Sequence, residues 1–232
     1  MWFWFAVIAL LCWSGSDLFS KIGCQDEKDK YSHLKMVTAV GIVMGLHAAY
    51  EIFIGGVEIN LEVILTYLPV SALYIVSMAV GYLGLRYIEL SISSPICNSS
   101  GAIVAVLTII TVGIGDEVPP VALVAVALVC IGVVGLGFTE ANEDEELRRA
   151  RQDESNRHYA KSWIAIFIPI VYCLLDALGT FADSRVLELI DEDSANVAYE
   201  LTFLVVGLVS LFYVTVVKKQ RLVAKQEAPK YT

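Results

Sequence analysis

Seven unbroken apolar runs constrain this chain more than anything else in it; they lie near 2–21, 34–54, 63–85, 91–112, 118–138, 163–183 and 196–217. A helix rises about 1.5 Å per residue, so about 20 apolar residues cover the hydrocarbon core of a bilayer. Lipid offers the backbone no hydrogen-bond partners, so only helices or closed barrels can cross it. Barrel strands show short alternating segments, and these runs do not alternate. The pattern predicts an all-α polytopic membrane protein with seven transmembrane helices. Composition agrees: 18% of residues are charged, against roughly a quarter in a soluble domain. The first run lacks a basic n-region and is too long for the apolar core of a cleaved signal, so it reads as a helix that stays.

Charge distribution sets the expected orientation. The loops after helices one, three and five and the C-terminal tail hold 15 of the 16 Lys and Arg residues, and the opposite side holds only Arg185. Basic residues stay cytoplasmic, which puts the N-terminus outside and the tail inside a cell membrane. The net charge of −9 comes from acidic residues, which contribute little to this rule and give no support for nucleic-acid binding. Five cysteines show no CxxC pair and no Cys/His spacing for a metal, so they read as small packing residues.

The expected organisation is a five-helix unit over 1–138, a polar cytoplasmic linker over 139–162, two helices over 163–217 and a basic tail over 218–232. The linker carries mixed charge, with a helical turn expected around Glu145–Arg151. A shift of 162 residues lays helices one and two on helices six and seven without a gap. Phe19 then meets Phe181, Ser32 meets Ser194, and Gly45-Leu46 meets Gly207-Leu208. Only 8 of 55 aligned positions are identical, so the equal spacing carries the argument. Ser32 and Ser194 each precede a helix, where a side-chain oxygen can cap free N–H groups. After five helices a second unit starts from the opposite side of the membrane. That makes an inverted repeat, as in many secondary transporters.

The segment WSGSDLFSKIG (Trp13–Gly23) resembles the end of the first helix in the drug/metabolite transporter superfamily, in its EamA-like branch. The segment GYLGLRYIELSISSPICNSSGAIVAVLTIITVGIGDEVPP (Gly81–Pro120) is also similar, with a very short connection into a fourth helix. That helix carries Ser93-Ser94-Pro95, an acidic loop residue follows at Glu117, and the fifth helix is Gly-rich at Gly132, Gly135 and Gly137. The resemblance implies two five-helix units, ten helices in all, with the N-terminus inside; the basic count here puts it outside. This chain has seven runs, so it is expected as part of a ten-helix inverted-repeat transporter, truncated after helix seven. Helices six and seven would then leave surfaces bare, which implies self-association as a homodimer. The implied ligand is a small-molecule substrate, coupled to protons, with no cofactor.

Ionisable groups at membrane depth are costly, and therefore candidates for function. Asp176, among leucines in helix six, suits reversible protonation or pairing with a cationic substrate; a helix–helix hydrogen bond is the alternative. Asp17 stands four residues before Lys21, where an ordinary i,i+4 pair competes with a functional role. By the 162-residue shift Asp176 aligns with Ser14. His47 suits a proton relay, though Glu51 one turn later can satisfy it. In SISSPICNSSG, Pro95 removes a backbone donor, so the helix can bend and expose carbonyls near Asn98. Trp13, Tyr74 and Tyr172 are amphipathic candidates for a cavity wall, with packing as the alternative. Gly41-xxx-Gly45 permits close helix approach.

Three function classes remain to be separated. An intramembrane enzyme needs a constellation such as HExxH or GxSxG, and neither string occurs. A retinal protein needs a lysine in the seventh helix, and residues 196–217 contain none. A transporter fits the repeat and the scattered polar residues; a non-transporting membrane subunit or truncated remnant is the second reading.

Overall fold

In the computed structural model every apolar run forms helix, and no described residue lies in a strand. The structure describes residues 2–24, 29–113, 120–142, 144, 146 and 163–220. The helices are α1 (Trp2–Cys24), α2 (Ser32–Tyr50), α3 (Leu61–Leu85), α4 (Leu90–Cys97), α5 (Ser100–Val112), α6 (Pro120–Ala141), α7 (Trp163–Val186) and α8 (Glu192–Phe212). Six stretches are long and apolar enough to cross a membrane, the fourth of them combining α4 and α5; the run in α6 is shorter, Pro120–Leu136. The turn expected around Glu145–Arg151, Glu117 and most of the basic tail lie outside the described residues.

Side chains are distributed inside out for water. Phe3, Trp4, Phe5, Leu10, Leu11 and Phe19 stand exposed on α1, while Ser32, Ser71, Ser77 and Ser99 are buried. Large apolar surfaces of this kind are stable only against an apolar solvent or partner. Together with the spans, this makes the chain a multi-pass membrane protein.

The chain divides into two compact units, one of Met1–Ser71 with Ile190–Thr232 and one of Ala72–Leu189. In the first unit α2 and α8 lie antiparallel. At one end Tyr31 meets Tyr213 edge to face at 6.4 Å, with the Lys218 ammonium over both rings. The Tyr213 hydroxyl beside it holds that ammonium above the usual lysine range. Midway, Thr38 Oγ1 reaches the Gly207 carbonyl at 3.2 Å. Near the other end His47 meets Glu200 at 2.8 Å. Gly41 and Gly45 both face α8. A Cβ on Gly41 would sit 2.8 Å from the Phe203 carbonyl oxygen and 3.1 Å from Gly207 Cα, so only glycine lets these backbones approach so closely.

The serine caps turn out differently from expectation. Ser32 is the first residue of α2, not its cap; its hydroxyl donates to the Cys24 carbonyl at 2.9 Å and so ties down the end of α1. Ser194 lies inside α8, whose cap is Asp191; the Asp191 carboxylate accepts the Ser194 N–H at 2.9 Å, and this bond holds it below the usual carboxylate range. An aspartate accepts at a helix start as well as serine does, and it stands at the right offset here. The Ser194 hydroxyl is free to donate to the Glu58 carbonyl at 3.3 Å.

Helix ends obey the 162-residue offset. Added to Cys24 it gives Val186, the end of α7, and added to Tyr50 it gives Phe212, the end of α8. Both α2 and α8 then run into a π-helical turn, Glu51–Gly55 in one and Tyr213–Val217 in the other, again at the same offset. Such turns are rare, and two at matching positions are informative.

Candidate functional site

In the second unit the fourth apolar run does not form one helix. The i→i+4 ladder holds through Asn98, whose N–H bonds Ser94 O at 2.9 Å, and then shortens: Ser99 N–H bonds Ile96 O at 3.2 Å and Ala102 N–H bonds Ser99 O at 3.0 Å, both three residues back. Pro95 sits one turn before this break and lacks the N–H that would bond into the turn behind it. The break leaves two half-helices, α4 ending at Cys97 and α5 starting at Ser100.

Helix α7 lines up its polar side chains with that break. The Asp176 carboxylate lies beside Ser100, in the first turn of α5. One turn earlier, Cys173 Sγ lies 3.3 Å from Ser99 Oγ. The single Ser99 proton is committed to the Ile96 carbonyl at 2.6 Å, so Cys173 S–H is the donor. A carboxylate beside the start of a helix also meets the positive end of its dipole.

On another side α7 packs antiparallel to the second half of α3. Tyr74 donates to Thr180 Oγ1 at 3.1 Å, and a Cβ on Gly81 would lie 2.7 Å from the Tyr172 ring. That register sets Ser77 level with Asp176. The Ser77 hydroxyl is fully buried and, among the described residues, has no hydrogen-bond partner. Beside the break lies a cavity of about 190 Å³, lined almost wholly by apolar side chains of α4, α5, α6 and α7, with Ser99 and Cys173 on its wall.

The candidate residues from the sequence fall in both units. Tyr74, Tyr172 and Asp176 are ordered along α7 and the α3 half that packs on it. Asn98, at the break as expected, turns its amide back to Ser94 O at 2.9 Å and Ser94 Oγ at 3.0 Å. On α1, Trp13 is exposed, Asp17 is half-buried, and Ser14 donates to Leu10 O at 2.8 Å within its own helix. His47 lies in the first unit with a partner that the sequence analysis did not name. Its Nδ1 is 2.8 Å from Glu200 Oε1, whereas Glu51 Oε1 stands 3.6 Å from Nε2, outside hydrogen-bond range. Glu200 carries the signal that singled out Asp176, an acidic residue within an apolar run. Ser77, Ser99, Ser100 and Cys173 carry none, because hydroxyls and thiols are ordinary in membrane helices.

The His47–Glu200 bond has a testable cost. The Glu200 side chain is only 15% exposed, against 58% for His47, so removing His47 strands a mostly buried carboxylate. His47→Leu is expected to destabilise the fold by about 1–3 kcal/mol, and His47→Leu with Glu200→Leu to recover most of that loss. SDS-induced unfolding in mixed micelles measures both; a single variant as stable as the parent would remove the bond from the stability account.

Among the described residues no group of three His, Cys, Asp or Glu is arranged to hold a metal ion. Compared with family models, curated proteins and solved structures, the chain matches none of them.

Proposed function

We propose that this protein is a secondary transporter of small metabolites that works by alternating access, in the manner of the EamA-like branch of the drug/metabolite transporter superfamily. The observation that carries the reading is the Asp176 carboxylate docked against the interruption of a broken membrane helix. Half-helix ends at membrane depth supply dipoles and free backbone groups to a substrate, which an uninterrupted helix cannot. A carboxylate there binds a proton or a cation in one conformation and releases it when its hydration changes in the other. The matching ends of α1 and α7, the matching π turns of α2 and α8, and the antiparallel course of the latter pair support an inverted repeat.

The experiment is uptake into proteoliposomes of a panel of labelled amino acids, amines, nucleosides and sugars. At least one should enter faster than into empty liposomes, and Asp176→Asn should lower that rate. A panel with no member transported would remove the reading.

The concentration of basic residues on one side supports an orientation with the N-terminus outside. Asn142, at the end of α6 with its amide on the Phe138 carbonyl at 2.8 Å, then faces the cytoplasm. A cysteine there, in a background without the five native ones, is expected to resist impermeant thiol reagents in intact cells. Ready labelling would reverse the orientation.

A further inference from the structure

We infer that the substrate site accepts a small aryl-alkyl amine, its ammonium on Asp176 and its ring in the cavity between α4–α5, α6 and α7. This takes from the transport reading the role of Asp176 as a substrate contact and adds what occupies the space beside it. The cavity measures about 190 Å³, and a dry apolar cavity of about 150 Å³ holds one benzene. A single six-membered ring with a short tether therefore fits. The wall is formed by Ile96, Ile103, Val133, Ile170 and Leu174 among others, groups that offer a ring dispersion and nothing polar to compete for.

Two connections tie this cavity to the carboxylate. Cys173 lines it and lies three residues before Asp176 on α7, so the two share a helix face with Cβ atoms about 5–6 Å apart. Ser99 lines it as well, and its neighbour Ser100 lies beside Asp176. The tether then spans one helical turn, which two carbons off the ring cover. An independent observation points the same way. At the level of Asp176 the buried Ser77 hydroxyl has no partner among the described residues, and an ammonium has three protons to place. A neutral ring fills the cavity but leaves the carboxylate unanswered, and a short amine does the reverse.

The test is equilibrium dialysis of labelled phenethylamine against the purified protein in nanodiscs, with empty nanodiscs as the blank. Saturable binding is expected, with affinity at least about tenfold above that of ethylamine or toluene, because either one gives up one of the two contacts. Asp176→Asn should remove most of the advantage over toluene. Ala102→Phe, which fills the cavity from its buried wall, should remove the advantage over ethylamine. Cys173→Ala enlarges the same space and should shift preference toward 4-methylphenethylamine, which keeps the test decisive if Ala102→Phe does not fold. No saturable binding, equal binding by Asp176→Asn, or an unchanged ring preference in Cys173→Ala would each overturn the assignment. Amine binding without uptake of any panel member would keep this site and remove the transport reading. Uptake without amine binding would do the opposite.

Discussion

Asp176→Asn is expected to lower uptake in proteoliposomes at least about tenfold, equivalent to about 1.4 kcal/mol of lost interaction with the transported species. The substitution is chosen for what it preserves. An asparagine has the same shape and stays polar beside Ser100, so α7 keeps its packing against the start of α5 while the charge is gone. Membrane insertion and detergent stability should therefore stay near the parent's. If the carboxylate also carries the coupling proton, the pH dependence of uptake should flatten in the variant. Asp176→Leu is a harsher control, because it removes the polar group beside Ser100 as well as the charge. Uptake and pH profile both unchanged in Asp176→Asn would make the residue structural.

The second large effect belongs to Gly41. Gly41→Ala is expected to destabilise the α2–α8 pair by about 1–3 kcal/mol, since the new methyl meets the Phe203 carbonyl oxygen at 2.8 Å and the Gly207 backbone at 3.1 Å. Neither neighbour can rotate away. Gly45→Ala, one turn later on the same face, meets only the tip of the Leu204 side chain at 2.7 Å. A leucine can change rotamer, and alanine gains about 1 kcal/mol of helix propensity over glycine, so this variant should be close to neutral. SDS unfolding of the two single variants measures the contrast. No loss at Gly41 would mean that the backbones lie farther apart, and an equal loss at Gly45 would mean that Leu204 cannot move aside.

Much of the architecture was legible in the residues because lipid leaves so little choice. Runs such as 34–54 and 63–85 have to be helices once they are long and apolar, and they are. The fourth run was read as able to bend near Asn98, among small polar residues, and its backbone bonds do shorten there. Asp176 announced itself by its charge. What did not announce itself was any partner. Ser99 meets Cys173 of α7 across 74 positions, and His47 Nδ1 meets Glu200 across 153 positions, while its Nε2 faces Glu51 one turn along its own helix. Local pairing was the natural expectation there. That pair is present on Nε2 at 3.6 Å, and Glu200 adds a shorter contact of 2.8 Å on Nδ1 from across the interface.

The same division runs through the whole protein. Helix positions, lengths and the equal spacing of the first and last helix pairs follow from hydropathy, a property each segment carries alone. Which helices touch does not. The compact units cut across the repeat order, with α2 beside α8 and α3–α6 beside α7, because every apolar helix is equally soluble in lipid. Hydropathy is then silent on partners, and the choice falls to close fits such as Gly41 on Gly207 and to polar groups that must find one another.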